Sequence, residues 1–185
     1  MDNGPVRPDE WEYYLPLIGD TMFELGGKFN KSVGKSYKSH FEALGYRHIS
    51  VDWDGQYGAI NRDLRKPLWD EFGQFDMVCN IGTTEHVSKQ FMVWKNIHQL
   101  TKKGGILVSV TPYHDGKSWW WHGEWYPTEE FFESFAELNG WEIERIGTDL
   151  PEPHKNLYVR LKKFDEREFV MPDLSLIVEN KRRPR

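Results

Sequence analysis

The chain has a single cysteine, Cys79, in 185 residues. No internal disulfide can form, and a reducing compartment is the simplest fit. No apolar run approaches the length of a membrane span, and the first residues do not resemble a signal peptide. The expectation is a cytoplasmic protein with no membrane partner. An excess of positive charge is missing as well: the formal net charge is −5, which makes a nucleic-acid partner unlikely and leaves Lys181-Arg182-Arg183-Pro184-Arg185 as a solvated basic end. Repeats, linkers and low-complexity segments are absent. The length suits one α/β domain with a real core and is too short for two of ordinary size.

What is present centres on Met22-Phe23-Glu24-Leu25-Gly26-Gly27-Lys28-Phe29-Asn30. It reads as a short buried strand ending in a carboxylate and opening into a glycine turn. Gly26 and Gly27 allow a ligand to approach the main chain, and a helix over residues 30–44 would aim its free N–H groups at the same spot. Glu24 would repel a phosphate, so a cofactor with hydroxyls and positive charge is the better guest, with an ordinary strand-to-helix turn as the alternative.

Further strands are expected at residues 48–52, 59–62, 75–82, 106–110, 141–146 and 157–161, the last two as an antiparallel pair. Helices are expected from Val87 through Phe91, Trp94, Ile97 and Leu100, with Lys102-Lys103-Gly104-Gly105 ending the helix, and from the N-cap Thr128 through Phe131, Phe135 and Leu138 to Gly140. Alternating strands and helices predict a mostly parallel sheet with helices on both faces. Its carboxyl edge would gather Glu24, Asp52, Asp63 and Asn80, which is where ligands bind in such sheets. Asp52 suits both ribose hydroxyls of an adenosine, and Trp53 could cover the adenine. Asp63 and Leu64 could contact the exocyclic amine and a ring nitrogen, with an ordinary turn residue as the open alternative for Asp63. Asn80 and Gly82 would border the rest of the cofactor.

On these residues the chain resembles the class I S-adenosylmethionine-dependent methyltransferases over nearly its whole length. The carriers are Glu24-Leu25-Gly26-Gly27, Asp52, Asp63-Leu64, Phe75-Asp76-Met77-Val78 through Glu85-His86-Val87, Asn96-Ile97-His98-Gln99-Leu100 through Gly104-Gly105-Ile106-Leu107, and the late helix with its two closing strands. The resemblance implies a Rossmann-like fold with a mostly parallel seven-stranded sheet, S-adenosyl-L-methionine as cofactor, and in-line methyl transfer. The acidic surface fits a small-molecule acceptor better than a nucleic acid, with a sugar, an aromatic hydroxyl or amine, or a lipid-precursor head group as the classes in view. Gly26-Gly27 departs from the family's alternating glycines, which leaves the contacts around Lys28 open. Three rivals stand beside it. Gly34-Lys35-Ser36 ends like a P-loop, but that motif's first glycine would fall at Phe29. A nicotinamide enzyme would share Asp52, yet no Gly-x-Gly-x-x-Gly follows the first strand. A non-catalytic or nucleotide-binding domain of similar fold is the third.

The acceptor is expected between an N-terminal arm over residues 1–20 and the aromatic loop 111–127, which carries Tyr113, His114, Trp119, Trp120, Trp121, His122, Glu124, Trp125 and Tyr126. The methyltransferase domain would span 21–170, with a tail at 171–185. His122, then His114, are the candidate proton acceptors. Glu85 and His86 lie at the fourth strand's exit, read as the start of a helix. This exit is similar to that of ubiquinone-biosynthetic O-methyltransferases and small-RNA 2′-O-methyltransferases, where a glutamate three positions earlier completes a divalent-metal site. Here that position is Gly82, which leaves a weaker set unless Glu124, His114 or His122 swings in from the loop. Transfer without a metal is the expectation, with Glu85 and His86 as further catalytic candidates, His86 to orient the acceptor. The alternative makes Glu85 a first-turn helix acid and His86 a packed or capping residue.

Overall fold

A computed structural model describes residues 18–30, 34–114, 122–148 and 155–180. Strand β1 (Thr21–Leu25) is buried along its whole length. It pairs in parallel with β4 (Arg47–Asp52) on one side and β6 (Phe75–Ile81) on the other. The short β5 (Ile60–Asn61) extends the sheet beyond β4, and β7 (Thr101–Pro112) extends it beyond β6. The sheet closes with β10 (Asn156–Lys163), antiparallel both to β7 and to β9 (Trp141–Thr148). The order is β5-β4-β1-β6-β7-β10-β9, a mostly parallel seven-stranded sheet with an antiparallel close, as expected.

Alternation along the central strands sends side chains to two cores. Phe23, Leu25 and Val78 join Val93, Trp94 and Ile97 of α3 (Gln90–Leu100) and Phe131, Phe132 and Phe135 of α4 (Glu129–Asn139). Met22, Met77 and Cys79 join Phe41 of α1 (Tyr37–Ala43) on the other face. A sheet buried on both faces needs such continuous apolar strands, which is why β1 and β6 carry little polarity. The helix α4 starts where Thr128 accepts from the Phe131 N–H, and stops at Gly140 in the left-handed region.

Four expectations are corrected. The helix over 30–44 is only α1. Before it comes a small hairpin of β2 (Phe29–Asn30) and β3 (Lys35–Ser36), and Ser36 caps α1 by accepting from Ser39 N–H. The helix therefore begins only at Tyr37, whose N–H is spent on Lys28 O at 3.0 Å beside the glycine turn. Residues Lys102 and Lys103 belong to β7 rather than to the end of α3; the positive charge there comes from Lys163, whose Nζ donates to His98 O and Thr101 O at 2.9 Å. Phe91 and Leu138, expected on apolar faces, are 48% and 39% exposed. Finally, Glu85 and His86 lie not in a helix but in a separate 3-10 turn, Thr84–His86, ahead of α3. A short α2 (Trp69–Phe72) precedes β6. Residues 174–180, within the expected tail, include β11 (Ile177–Glu179), which pairs with β8 (Trp125–Pro127). No helix among the described residues is long and apolar enough to cross a membrane.

Candidate active site

A cavity of about 600 Å³ opens at the carboxyl edge of the sheet, lined by Lys28, Asp52, Trp53, Asp63, Leu64, Gly82, Thr83 and His86 among others. Its volume lies in the range of small-molecule sites. Strand β4 delivers Asp52, and both carboxylate oxygens are held by backbone donors: Oδ2 accepts from Gly27 N–H at 2.8 Å and Oδ1 from Trp53 N–H at 2.6 Å. Each oxygen keeps a lone pair for a further donor. Trp53, beside it, is 79% exposed, so its indole is available as a cover.

The glycine turn is shaped by the protein as much as by any guest. Gly26 has φ 81° and a Cβ there would sit 2.1 Å from Thr83 Oγ1, while a Cβ on Gly27 would meet Gln56 O at 2.7 Å. Thr83 Oγ1 in turn donates to Leu25 O. Neither glycine tolerates a side chain, because two neighbouring turns press against the main chain there.

Asp63 lines the cavity with its carboxylate forked onto Arg65, whose Nε and a terminal nitrogen donate at 2.9 and 3.0 Å. That guanidinium holds the Asp63 carboxyl down at about 2. Leu64 is nearly buried, and its carbonyl accepts from Asn96 Nδ2.

Four expected cofactor contacts lie outside the cavity lining: Gly26 and Gly27 of the turn, and Asn80 and Glu24. Asn80 is buried, and Nδ2 donates to Thr84 Oγ1 and Ser109 Oγ at 2.9 and 2.8 Å while Oδ1 accepts from Thr84 N–H. It fastens the 3-10 turn to the sheet. Glu24 is buried too, with Oε2 3.5 Å from His48 Nε2 and no hydrogen-bond partner among the described residues. Burial, partly offset by Ser50 and Lys28, pushes its carboxyl up to about 8, and burial pulls the His48 imidazole down to about 3.

Sequence reasoning left Lys28 open and did not find its role. Lys28 stands in the cavity with Nζ donating to Gly82 O at 2.7 Å, so it spans from the first strand's turn to the fourth strand's exit. Only the folded chain brings positions 54 residues apart into that contact, and no local pattern signals it.

Past Gly82 the 3-10 turn places Glu85 at 0% exposure and His86 at the cavity wall. The loop before β8 brings His122 onto them. His86 Nε2 and His122 Nε2 are 3.2 Å apart, and Glu85 Oε1 lies 3.7 and 3.6 Å from them respectively. Gly123 packs directly on Glu85: it has φ 72°, and a Cβ there would lie 2.8 Å from Glu85 Cγ. The backbone of this loop is pinned, with Glu124 N–H donating to Glu85 O at 2.7 Å, Tyr126 OH donating to His122 O, and Asn180 N–H donating to Glu124 O at 2.8 Å. His114 stands elsewhere, exposed, with its ring against Tyr126. Trp119, Trp120 and Trp121, like the arm residues 1–17, lie outside the described residues.

No protein-family model matches the chain, and no curated protein matches its sequence. Solved structures do match in fold. An S-adenosylmethionine-dependent methyltransferase from Mesorhizobium loti superposes with a TM-score of 0.62 at 15% identity, over 83% of this chain and 97% of that one. The 1,6-didemethyltoxoflavin-N1-methyltransferase of Burkholderia thailandensis, with its substrate and S-adenosylhomocysteine bound, gives 0.57 at 15% identity over 78% and 71%. A 16S rRNA (adenine(1408)-N(1))-methyltransferase from Catenulisporales acidiphilia gives 0.54 at 14% identity over 89% and 95%. The fold is that of the class I S-adenosylmethionine-dependent methyltransferases.

Proposed function

We propose that this protein is an S-adenosylmethionine-dependent methyltransferase that moves a methyl group onto a small-molecule acceptor. The observation that carries the reading is Asp52, locked by the Gly27 and Trp53 N–H groups at the wall of the carboxyl-edge cavity. A carboxylate oriented in this way, with lone pairs to spare, suits the paired hydroxyls of a ribose. Trp53, Asp63 and Leu64 then surround the base. The methionine limb runs past Gly26 and Gly27 toward Gly82, and the Lys28 ammonium is the partner for its carboxylate. S-adenosylmethionine arrives already activated, so the protein's work is to bind it and to hold the acceptor in line with its methyl group. Of the side chains able to assist, Glu85, His86 and His122 gather at the cavity's end while His114 stands apart, which favours the trio as the acceptor's station. The matched structures include both a small-molecule and an rRNA methyltransferase; the net charge of −5 favours the small molecule, because a nucleic-acid surface needs excess positive charge.

Calorimetry tests the reading. S-adenosylhomocysteine should bind the wild type, and Asp52→Ala should weaken binding by about 1–3 kcal/mol through unpaired hydroxyls. Binding of NADH or ATP with no response to the adenosyl ligand would sink it.

A further inference from the structure

We propose that Glu85, His86 and His122 form a divalent transition-metal site at the end of the cavity. Glu85 is wholly buried, and neither of its carboxylate oxygens has a hydrogen-bond partner among the described residues. Burying a carboxylate without hydrogen bonds is costly, so such a group calls for a cation. Two imidazoles face it, each presenting Nε2, with the Lys28 ammonium also beside Gly82 but held by Gly82 O; one ligand atom from each of the three residues falls within 4.8 Å of the others. Metal–nitrogen bonds of about 2.0–2.1 Å put two imidazole nitrogens on one ion roughly 3.0–3.4 Å apart. The His86–His122 separation of 3.2 Å matches that span. The carboxylate, at 3.6 and 3.7 Å from them, needs to close by only a few tenths of an ångström.

The donor set indicates the class of ion. Two imidazoles and one carboxylate suit zinc, cobalt, iron or manganese, whereas magnesium and calcium ask for a shell of oxygens. Gly82 supplies no side chain, so among the described residues this set has no second carboxylate and does not make an oxygen-rich magnesium shell. Three protein ligands also leave a coordination position open. His86 lines the cavity, so an ion held by it would lie within reach of an acceptor bound there. This last point rests on the methyltransferase reading; the metal site does not.

The protein around the trio is built to hold it. Asn80 clamps the turn bearing Glu85 and His86 through three hydrogen bonds. Tyr126 and Asn180 fix the backbone on either side of Gly123, which holds His122 over Glu85. Supporting shells of this kind fix ligand orientation in metal sites. The metal-free alternative is a His–His hydrogen bond above an unpaired carboxylate.

The test is direct metal binding by the full chain, stripped with chelator and free of S-adenosylmethionine. Zinc is titrated calorimetrically, and cobalt is followed by its visible absorption. One equivalent should bind, with magnesium at least about 100-fold weaker. His122→Ala and Glu85→Gln should each cost about 100-fold or more, beyond what outer-shell changes cost, and His40→Ala on α1 should cost nothing. Should Glu85→Gln fail to fold, the half-exposed His122 carries the test, with circular dichroism confirming its fold. No stoichiometric binding, binding untouched by His122→Ala, or equal affinity for magnesium overturns the proposal. Metal binding without any response to S-adenosylhomocysteine would sink only the cofactor reading, and the reverse result would sink only the metal site.

Discussion

Among the described residues two glutamates are shut away from water with no partner in good hydrogen-bonding geometry, and they differ in what stands beside them. Glu24 lies on β1 facing His48, and burial leaves the acid raised to about 8 and the imidazole lowered to about 3. Near neutral pH both are uncharged, and the interior is relieved by protonation alone. Glu85 instead lies behind the cavity-lining His86 and faces two imidazoles that are each about a third exposed, through which solvent ions have access. Asn80, five residues before Glu85, is a third case: equally buried, but with every polar atom engaged. A saturated polar group gives shape, a neutralised one is tolerated, and an unsaturated one at a cavity edge points to a missing partner.

The largest effect should come from the saturated member. Asn80→Leu keeps the branched shape at a larger volume but leaves Thr84 N–H and the Thr84 and Ser109 hydroxyls unpaired in the interior, which should cost about 3–5 kcal/mol in urea unfolding. A loss below about 1 kcal/mol would show that this network is not what holds the turn, and would erase the contrast with Glu85.

The architecture was readable from the sequence because it follows from period and punctuation. Apolar runs such as Phe75 to Ile81 admit little but a buried strand, and Thr128 and Gly140 mark the ends of α4 by their chemistry. Asp52 was readable because its position at a strand end fixes its place on the edge. The misplacements have a common cause in contacts distant along the chain. Gly26 is required by Thr83, and Lys28 reaches Gly82. Asn80, expected to border the cofactor, is turned inward by Thr84 and Ser109. Most of all, the meeting of His122 with Glu85 and His86 depends on a loop whose course is set by β8, β11 and Asn180. None of these is visible as a local pattern, which is why Glu85 and His86 read on paper as an incomplete pair, with His122 only one of three residues that could join them.

A smaller effect should separate the two glutamates by pH. With a native value near 8 against an ordinary 4.5, Glu24 destabilises the fold progressively as pH rises from 4.5 to 8, because the unfolded chain gives up the proton first. His48, near 3 against 6.5, acts oppositely: its contribution is lost as pH falls from 6.5 to 3. Between 4.5 and 6.5 the two slopes cancel. From pH 6.5 to 8 only Glu24 acts, and the wild type should lose about 2 kcal/mol that Glu24→Gln does not lose. Parallel stability curves for the two proteins would mean that Glu24 is ionised in the fold and not the neutral counterpart of Glu85.

The smallest effect concerns the cation already present between them. The Lys28 ammonium draws the Glu24 carboxyl downward, and it lies beside the Gly82 position that Glu85 also approaches. Lys28→Met should therefore raise the Glu24 value further and move the end of the alkaline stability loss to higher pH, without altering its onset near 4.5, which belongs to the unfolded chain. The same substitution tests the assigned carboxylate contact. S-adenosylhomocysteine carries an amino-acid carboxylate and 5′-methylthioadenosine does not, so the variant should bind the first about tenfold more weakly, a change of about 1.4 kcal/mol. It should bind the second as the wild type does. Equal weakening of both ligands would make Lys28 a support for the cavity wall through Gly82, and would remove it from cofactor recognition while leaving Asp52 in place.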